Sequence, residues 1–155
     1  MLEAGEIDAL MAPALPLVVQ RGSPRIKRLF PNYREVEQEY FARTGLVHIM
    51  HILAIRRSVY ERNPWVARSL YEAFLRAKDA CYGLLEETGA PKVSLTWFQA
   101  HLDAERAVFG RDHWPYGLRG NRKSLEALVS YVYEQGLSER LVSLEELFAP
   151  ETVDT

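Results

Sequence analysis

Leu46 to Ile55 constrains the fold of this chain more than any other stretch. It is a ten-residue run, apolar except for His48 and His51, entered from Arg43-Thr44-Gly45 and left through Arg56-Arg57. A buried apolar run must find partners for every backbone N–H and C=O it takes out of water. Its length, with its Ile, Leu and Val content, suits a strand covered on both faces better than a helix. Such a strand needs neighbours. The run therefore predicts an α/β protein with a site at a strand end, where a side chain that titrates near neutral pH meets arginines able to hold a carboxylate.

The rest of the chain is read around that strand. Gly5 to Leu10 reads as a turn into a short strand, and Ile26 to Phe30 as a second strand closed by Pro31-Asn32. Pro13, Pro16, Gly22 and Pro24 exclude regular structure between them. Tyr33, Val36, Tyr40 and Phe41 fall at helical spacing, with Gly45 as the stop. Asn63 is expected to cap the longest helix, with Pro64 in its first turn and Val66, Leu70, Phe74, Ala77, Cys81 and Leu84 as its buried stripe. A further helix is predicted from Ser94, with Leu95, Phe98, Leu102 and Phe109 inward. Another is predicted from Asn121 to a stop at Gly136, with Leu125, Leu128, Val129 and Val132 inward. Ser143-Leu144-Glu145-Glu146 is a capping box. No internal repeat is visible. Few strands followed by many helices read as the back half of a larger α/β protein.

Composition narrows the partners. With 155 residues, 48% apolar and 26% charged, the chain is long enough for one domain with a core. A net charge of -2 gives no basic field for nucleic acid, and the short cluster Arg25-Ile26-Lys27-Arg28 reads as a solvated loop. No apolar run reaches the length of a membrane span. The segment Met1 to Glu6 lacks the basic and apolar regions of a secretory leader, which points to the cytoplasm. The single cysteine, Cys81, excludes an internal disulfide and reads as a small core residue.

Several short motifs occur in a fixed order. They are Gly5-Glu6-Ile7-Asp8-Ala9, Arg28-Leu29-Phe30-Pro31, Arg43-Thr44-Gly45 with Ile49-Met50-His51, Asn63-Pro64-Trp65-Val66-Ala67 and Ser69-Leu70-Tyr71-Glu72-Ala73-Phe74. After them come Trp114-Pro115-Tyr116-Gly117-Leu118, Tyr131 with Gln135-Gly136-Leu137, and Glu145-Glu146-Leu147-Phe148-Ala149-Pro150. The ordered set resembles the C-terminal half of the 4,5-dihydroxyphthalate decarboxylase family. Each motif alone is weak, and Gly-Glu-Ile-Asp-Ala is shared with many solute-binding proteins. The resemblance implies a type 2 periplasmic-binding-protein-like fold, here partial. Residues 1–32 would be the end of the second lobe and the crossover, and residues 33–155 the C-terminal part of the first lobe with its following helices. It departs from the family at His48, where a proline is usual, and in length, since family members are about twice as long.

The resemblance implies a carboxy-lyase that converts 4,5-dihydroxyphthalate to 3,4-dihydroxybenzoate and CO2 without a cofactor. The alternative on the same fold is a solute-binding protein of an ABC transporter for a small organic acid, which would place it in the periplasm. His51 is the candidate proton donor. Its plain reading is a core histidine bonded to a backbone carbonyl. Arg43 and Arg56 are candidate carboxylate anchors, although arginines at helix ends commonly meet the last carbonyls. His113 and Tyr116, in an aromatic loop, are candidates for substrate contact or for sealing the lobe. No metal is expected, because on a strand His48 and His51 diverge and no third ligand stands at a suitable spacing. The expected partner is a small aromatic carboxylate. A half-protein with bare apolar surface is also expected to self-associate as a homo-oligomer.

Overall fold

The computed structural model describes residues 1–90 and 92–155. Its elements divide into two compact units, Met1–Tyr40 and Phe41–Thr155.

The first unit is largely irregular, as its prolines dictate. Its one complete helix is α1, Leu17–Gln20, which follows Pro16 and closes at Gly22, a residue with φ of 73°. The predicted strands Gly5–Leu10 and Ile26–Phe30 are absent; both segments run as turns and irregular backbone. Helix α2, Tyr33–Thr44, starts in this unit and ends in the second, where Gly45 (φ 65°) donates its N–H to the Phe41 carbonyl. The expected glycine stop is therefore present.

The second unit is helical. After α2 come α3 (Arg57–Tyr60), α4 (Trp65–Glu86), α5 (Phe98–Phe109), α6 (Leu118–Glu134) and α7 (Leu144–Leu147), then a 3-10 turn at Pro150–Thr152. No strand occurs among the described residues. The expectation of an α/β, periplasmic-binding-protein-like fold is thereby overturned. The reason lies in the ten-residue run. Apolar content shows that a segment seeks cover, but a strand exists only through the ladder bonds of its neighbours, and no described segment supplies them. The start of the run instead meets α6. The Leu46 N–H donates to Thr44 Oγ1 at 3.2 Å and the Val47 N–H to Ser124 Oγ at 3.0 Å. Ile49 packs on the core made by Leu118, Leu125 and Leu144, together with Val129, Phe148 and Val153. Beyond Ile49 the run leaves the core: Met50, Ile52 and Leu53 are more than half exposed. Neither face is covered as a central strand's would be.

Pro64 does open the longest helix, but it stands at the N-cap, and Asn63 does not cap. The Asn63 side chain donates backward to the Val59 carbonyl at 3.3 Å, while its own carbonyl accepts from Val66 N–H. The buried face of α4 is also rotated from the expected stripe. Val66 and Leu70 are half-buried as expected, but Phe74, Ala77, Cys81 and Leu84 are exposed, and the other inward positions are Ala67, Tyr71, Leu75, Lys78, Tyr82 and Leu85. Cys81 is thus a surface thiol and not a core residue. Helix α5 starts later than predicted, with Trp97 at its N-cap, and buries Leu102. The Phe41 and Phe109 rings, 4.6 Å apart, join its end to the end of α2. Helix α6 opens at Gly117, not at Asn121, whose amide donates to the Pro115 and Gly117 carbonyls at 2.9 and 2.8 Å. It closes at Gly136 (φ 70°) as expected. The Ser143–Glu146 capping box is formed, with Glu146 Oε1 accepting from Ser143 N–H at 3.2 Å. Arg140 and the Ser143 cap hold the Glu146 carboxyl down at about 2.

Candidate functional site

The polar residues that the fold gathers in the second unit centre on Lys78. It lies midway along α4 on the inward face, and its side chain is 7% exposed. An ammonium group that deep needs compensation. The loop between α5 and α6 supplies it: Lys78 Nζ donates to both Asp112 carboxylate oxygens at 2.9 Å and to the Trp114 carbonyl at 3.3 Å. Tyr82, one helical turn further along α4, donates its hydroxyl to Asp112 Oδ1 at 3.3 Å. Two aromatic rings stand by the cation, with Tyr116 at 4.9 Å and Tyr82 at 5.7 Å from Nζ to ring centroid. His113 stacks on Tyr82, with ring centroids 4.9 Å apart and planes 18° from parallel. Its Nδ1 is buried with no hydrogen-bond partner among the described residues.

Burial, and then the negative charge of Asp112, push the Tyr82 phenol up to about 12 from its ordinary 10.0. The folded chain therefore holds this proton more tightly than the unfolded chain. The resulting stabilisation is fully present below pH 10 and is lost as pH rises from 10 towards 12. After discounting for solvent screening of a half-buried group, this is roughly 1 kcal/mol. Urea unfolding at pH 9 and at pH 11.5 should show a steeper alkaline loss in the parent chain than in Tyr82→Phe, in which lysine titration is retained and the phenol is gone.

Of the residues singled out by sequence, the structure brings His113 and Tyr116 together around Lys78. The others stand elsewhere. Arg43 is on the last turn of α2 and exposed; Arg56 precedes α3 and is exposed; His51 and His48 are exposed in the irregular run. Among the described residues no hydrogen bond or ring contact joins His51 or Arg56 to the Lys78 cluster. No group of three His, Cys, Asp or Glu side chains suited to a metal ion is found among the described residues. A hollow of about 430 Å3 lies where α4 ends and α5 begins, lined by Leu84, Leu85, Val93, Leu95 and Phe98 with Glu87 and Lys92, and none of the candidate residues borders it.

Lys78, Asp112 and Tyr82 were not singled out from the sequence. A signal does exist: Lys78 and Tyr82 are four residues apart on the same helical face as Ala67, Tyr71, Leu75 and Leu85. A lysine in phase with an inward stripe requires a buried counter-charge, and Asp112 stands next to His113 in the loop already marked as aromatic.

This cation thus stands between a carboxylate and two aromatic rings. The chain resembles 4,5-dihydroxyphthalate decarboxylase of Comamonas testosteroni. It is 32% identical to that decarboxylase over 155 residues, which are 100% of this chain and 47% of the relative. The chain thus spans about half the length of the relative it matches. No protein-family model matches the chain. Among the described residues no helix is long and apolar enough to cross a membrane.

Proposed function

We propose that the chain takes part in decarboxylation of an aromatic dicarboxylate, with 4,5-dihydroxyphthalate as substrate and 3,4-dihydroxybenzoate and CO2 as products. The observation that carries this reading is the similarity, over the chain's entire length, to a protein named for that activity.

The chemistry sets the roles. Each substrate carboxylate has a ring hydroxyl para to it. Electron release from that oxygen lets the ring take a proton at the carboxyl-bearing carbon. The bond from that carbon to the carboxylate then breaks, its electron pair restores the aromatic ring, and CO2 leaves. The protein has to deliver the proton, hold the second carboxylate and receive the phenol. His51 is the proton donor in this reading, and Arg43 or Arg56 the anchor. His113 and Tyr116 contact the substrate from the α5–α6 loop. His51 suits its role in being open to an incoming ligand.

The test is CO2 release by the purified protein from 4,5-dihydroxyphthalate, with phthalate in parallel. Phthalate carries both carboxylates but no hydroxyl, so it should bind and not turn over. Tight binding of an unrelated acid with no turnover of 4,5-dihydroxyphthalate would replace this reading with that of a solute-binding protein.

A further inference from the structure

We propose that Lys78 is a carboxylate-binding residue whose ligand position is held by the chain's own Asp112. The inference deepens the decarboxylase reading and rests on it for the identity of the ligand: the carboxylate that takes Asp112's place is the retained one of an aromatic dicarboxylate, so Lys78 replaces Arg43 or Arg56 as its anchor.

The argument starts from an asymmetry within the pair. The Lys78 side chain is 7% exposed, whereas that of Asp112 is 53% exposed. The cation is enclosed and the anion is open to solvent. A cation that deep depends on this carboxylate and the Trp114 carbonyl for compensation, and the carboxylate is the partner that solvent can reach. Here, withdrawal of one side chain uncovers an ammonium group that already presents carboxylate geometry, with both oxygens at 2.9 Å. The surroundings fit an aryl group on that carboxylate. The Tyr116 and Tyr82 rings flank Nζ, and the His113 ring extends the aromatic surface by stacking on Tyr82. Among the described residues the buried Nδ1 of His113 has no hydrogen-bond partner, and its ring is stacked on that of Tyr82.

If Asp112 is a placeholder, it competes with the ligand. Its negative charge occupies the ligand's position and repels an arriving carboxylate. Asp112→Asn keeps the shape and an oxygen for Lys78 but removes that charge. Calorimetry should then show phthalate binding to Asp112→Asn at least about tenfold more tightly than to the parent chain, as expected for removing a like charge at contact distance near a protein surface. Adding Lys78→Met to Asp112→Asn should abolish the gain. Asp112→Glu, which retains the charge, should bind no more tightly than the parent.

Equal or weaker binding in Asp112→Asn, or a gain that survives loss of Lys78, would overturn the inference, as would absence of phthalate binding by every form. Succinate separates this inference from the reading beneath it. Succinate bound as well as phthalate, with the same dependence on Asp112 and Lys78, would leave the carboxylate site standing and remove the aromatic substrate. Turnover of 4,5-dihydroxyphthalate, with phthalate affinity indifferent to both residues, would leave the decarboxylase standing and remove the Lys78 site.

Discussion

Replacing His51 by asparagine should slow CO2 release from 4,5-dihydroxyphthalate by about 10²–10⁴-fold while leaving ligand affinity within a few fold. Asparagine is close to histidine in size and keeps hydrogen-bonding groups, but it cannot deliver a proton near pH 7. The loss should therefore fall on turnover and not on binding. The paired measurement is CO2 release for turnover and calorimetry with phthalate for affinity. Equal losses in both would make His51 an anchoring or structural residue. The exposure of His51 sharpens this test. A core histidine bonded to a backbone carbonyl, the competing expectation from sequence, would destabilise the fold on replacement. An exposed one in an irregular run has no packing to lose, so the variant should melt with the parent chain. His48→Pro is the companion variant. His48 is also exposed and outside any helix or strand, and its position is the one where the resembled family usually carries proline. It should be neutral or slightly stabilising in turnover and melting alike.

What could be read from sequence divides along a physical line. Signals that act within a few residues were legible: Pro64 ahead of the longest helix, the glycine stops at Gly45 and Gly136, and the Ser143–Glu146 capping box. Each depends on local dihedrals and local hydrogen bonds, which the residue types themselves dictate. Signals that depend on distant partners were not. The run Leu46–Ile55 has strand composition, but composition cannot show whether other strands exist to pair with it, and the structure places its start against α6. On α4 the most apolar stripe was taken as the inward one. The inward face keeps Val66 and Leu70 of that stripe but further along carries Lys78, because a charge 34 residues away in sequence, at Asp112, compensates it. Asn63 and Asn121 are cap residues by type, yet both turn their amides onto backbone carbonyls. As for the candidate site, the loop with His113 and Tyr116 was marked by its aromatic content and does line the Lys78 cluster. Its two charged members needed the fold to bring them together.

The exposed side of α4 has a consequence for how much disturbance the second unit tolerates. Phe74 and Leu84 are each nearly half exposed, and Ala67, Leu102, Leu118, Leu125 and Leu144 are the buried apolar residues among those described. A core that small leaves little reserve, so strain at one well-placed backbone position should have a large effect.

Gly117 is that position, and Gly117→Val should be the most destabilising single substitution in the second unit. Gly117 adopts φ 86° and ψ 174° at the N-cap of α6, a region that only glycine enters without strain of about 1–3 kcal/mol. It is also crowded. A Cβ there would stand 2.7 Å from the backbone carbon of Thr155 and 2.8 Å from its Oγ1. Backbone cannot swing aside as a side-chain tip can, so the added atom must push the Thr155 segment away. That segment is tied to the start of α6 by the Thr155 carbonyl, which accepts from the Arg119 N–H. Next to it, Leu118 is 1% exposed and is the most deeply buried side chain of the core. Gly110, at the other end of the same loop, provides the control. Its φ of 83° and ψ of -174° are nearly the same, but among the described residues nothing lies within 4 Å of its Cβ position. Gly110→Ala should therefore show backbone strain alone, and Gly117→Val should exceed it by the cost of moving Thr155. At about 2–4 °C per kcal/mol for a chain of this size, a loss of about 3–5 kcal/mol at Gly117 lowers the melting temperature by roughly 6–20 °C, and Gly110→Ala by clearly less. Matching losses at the two glycines in thermal unfolding would show that conformation, and not the contact with Thr155, sets the cost.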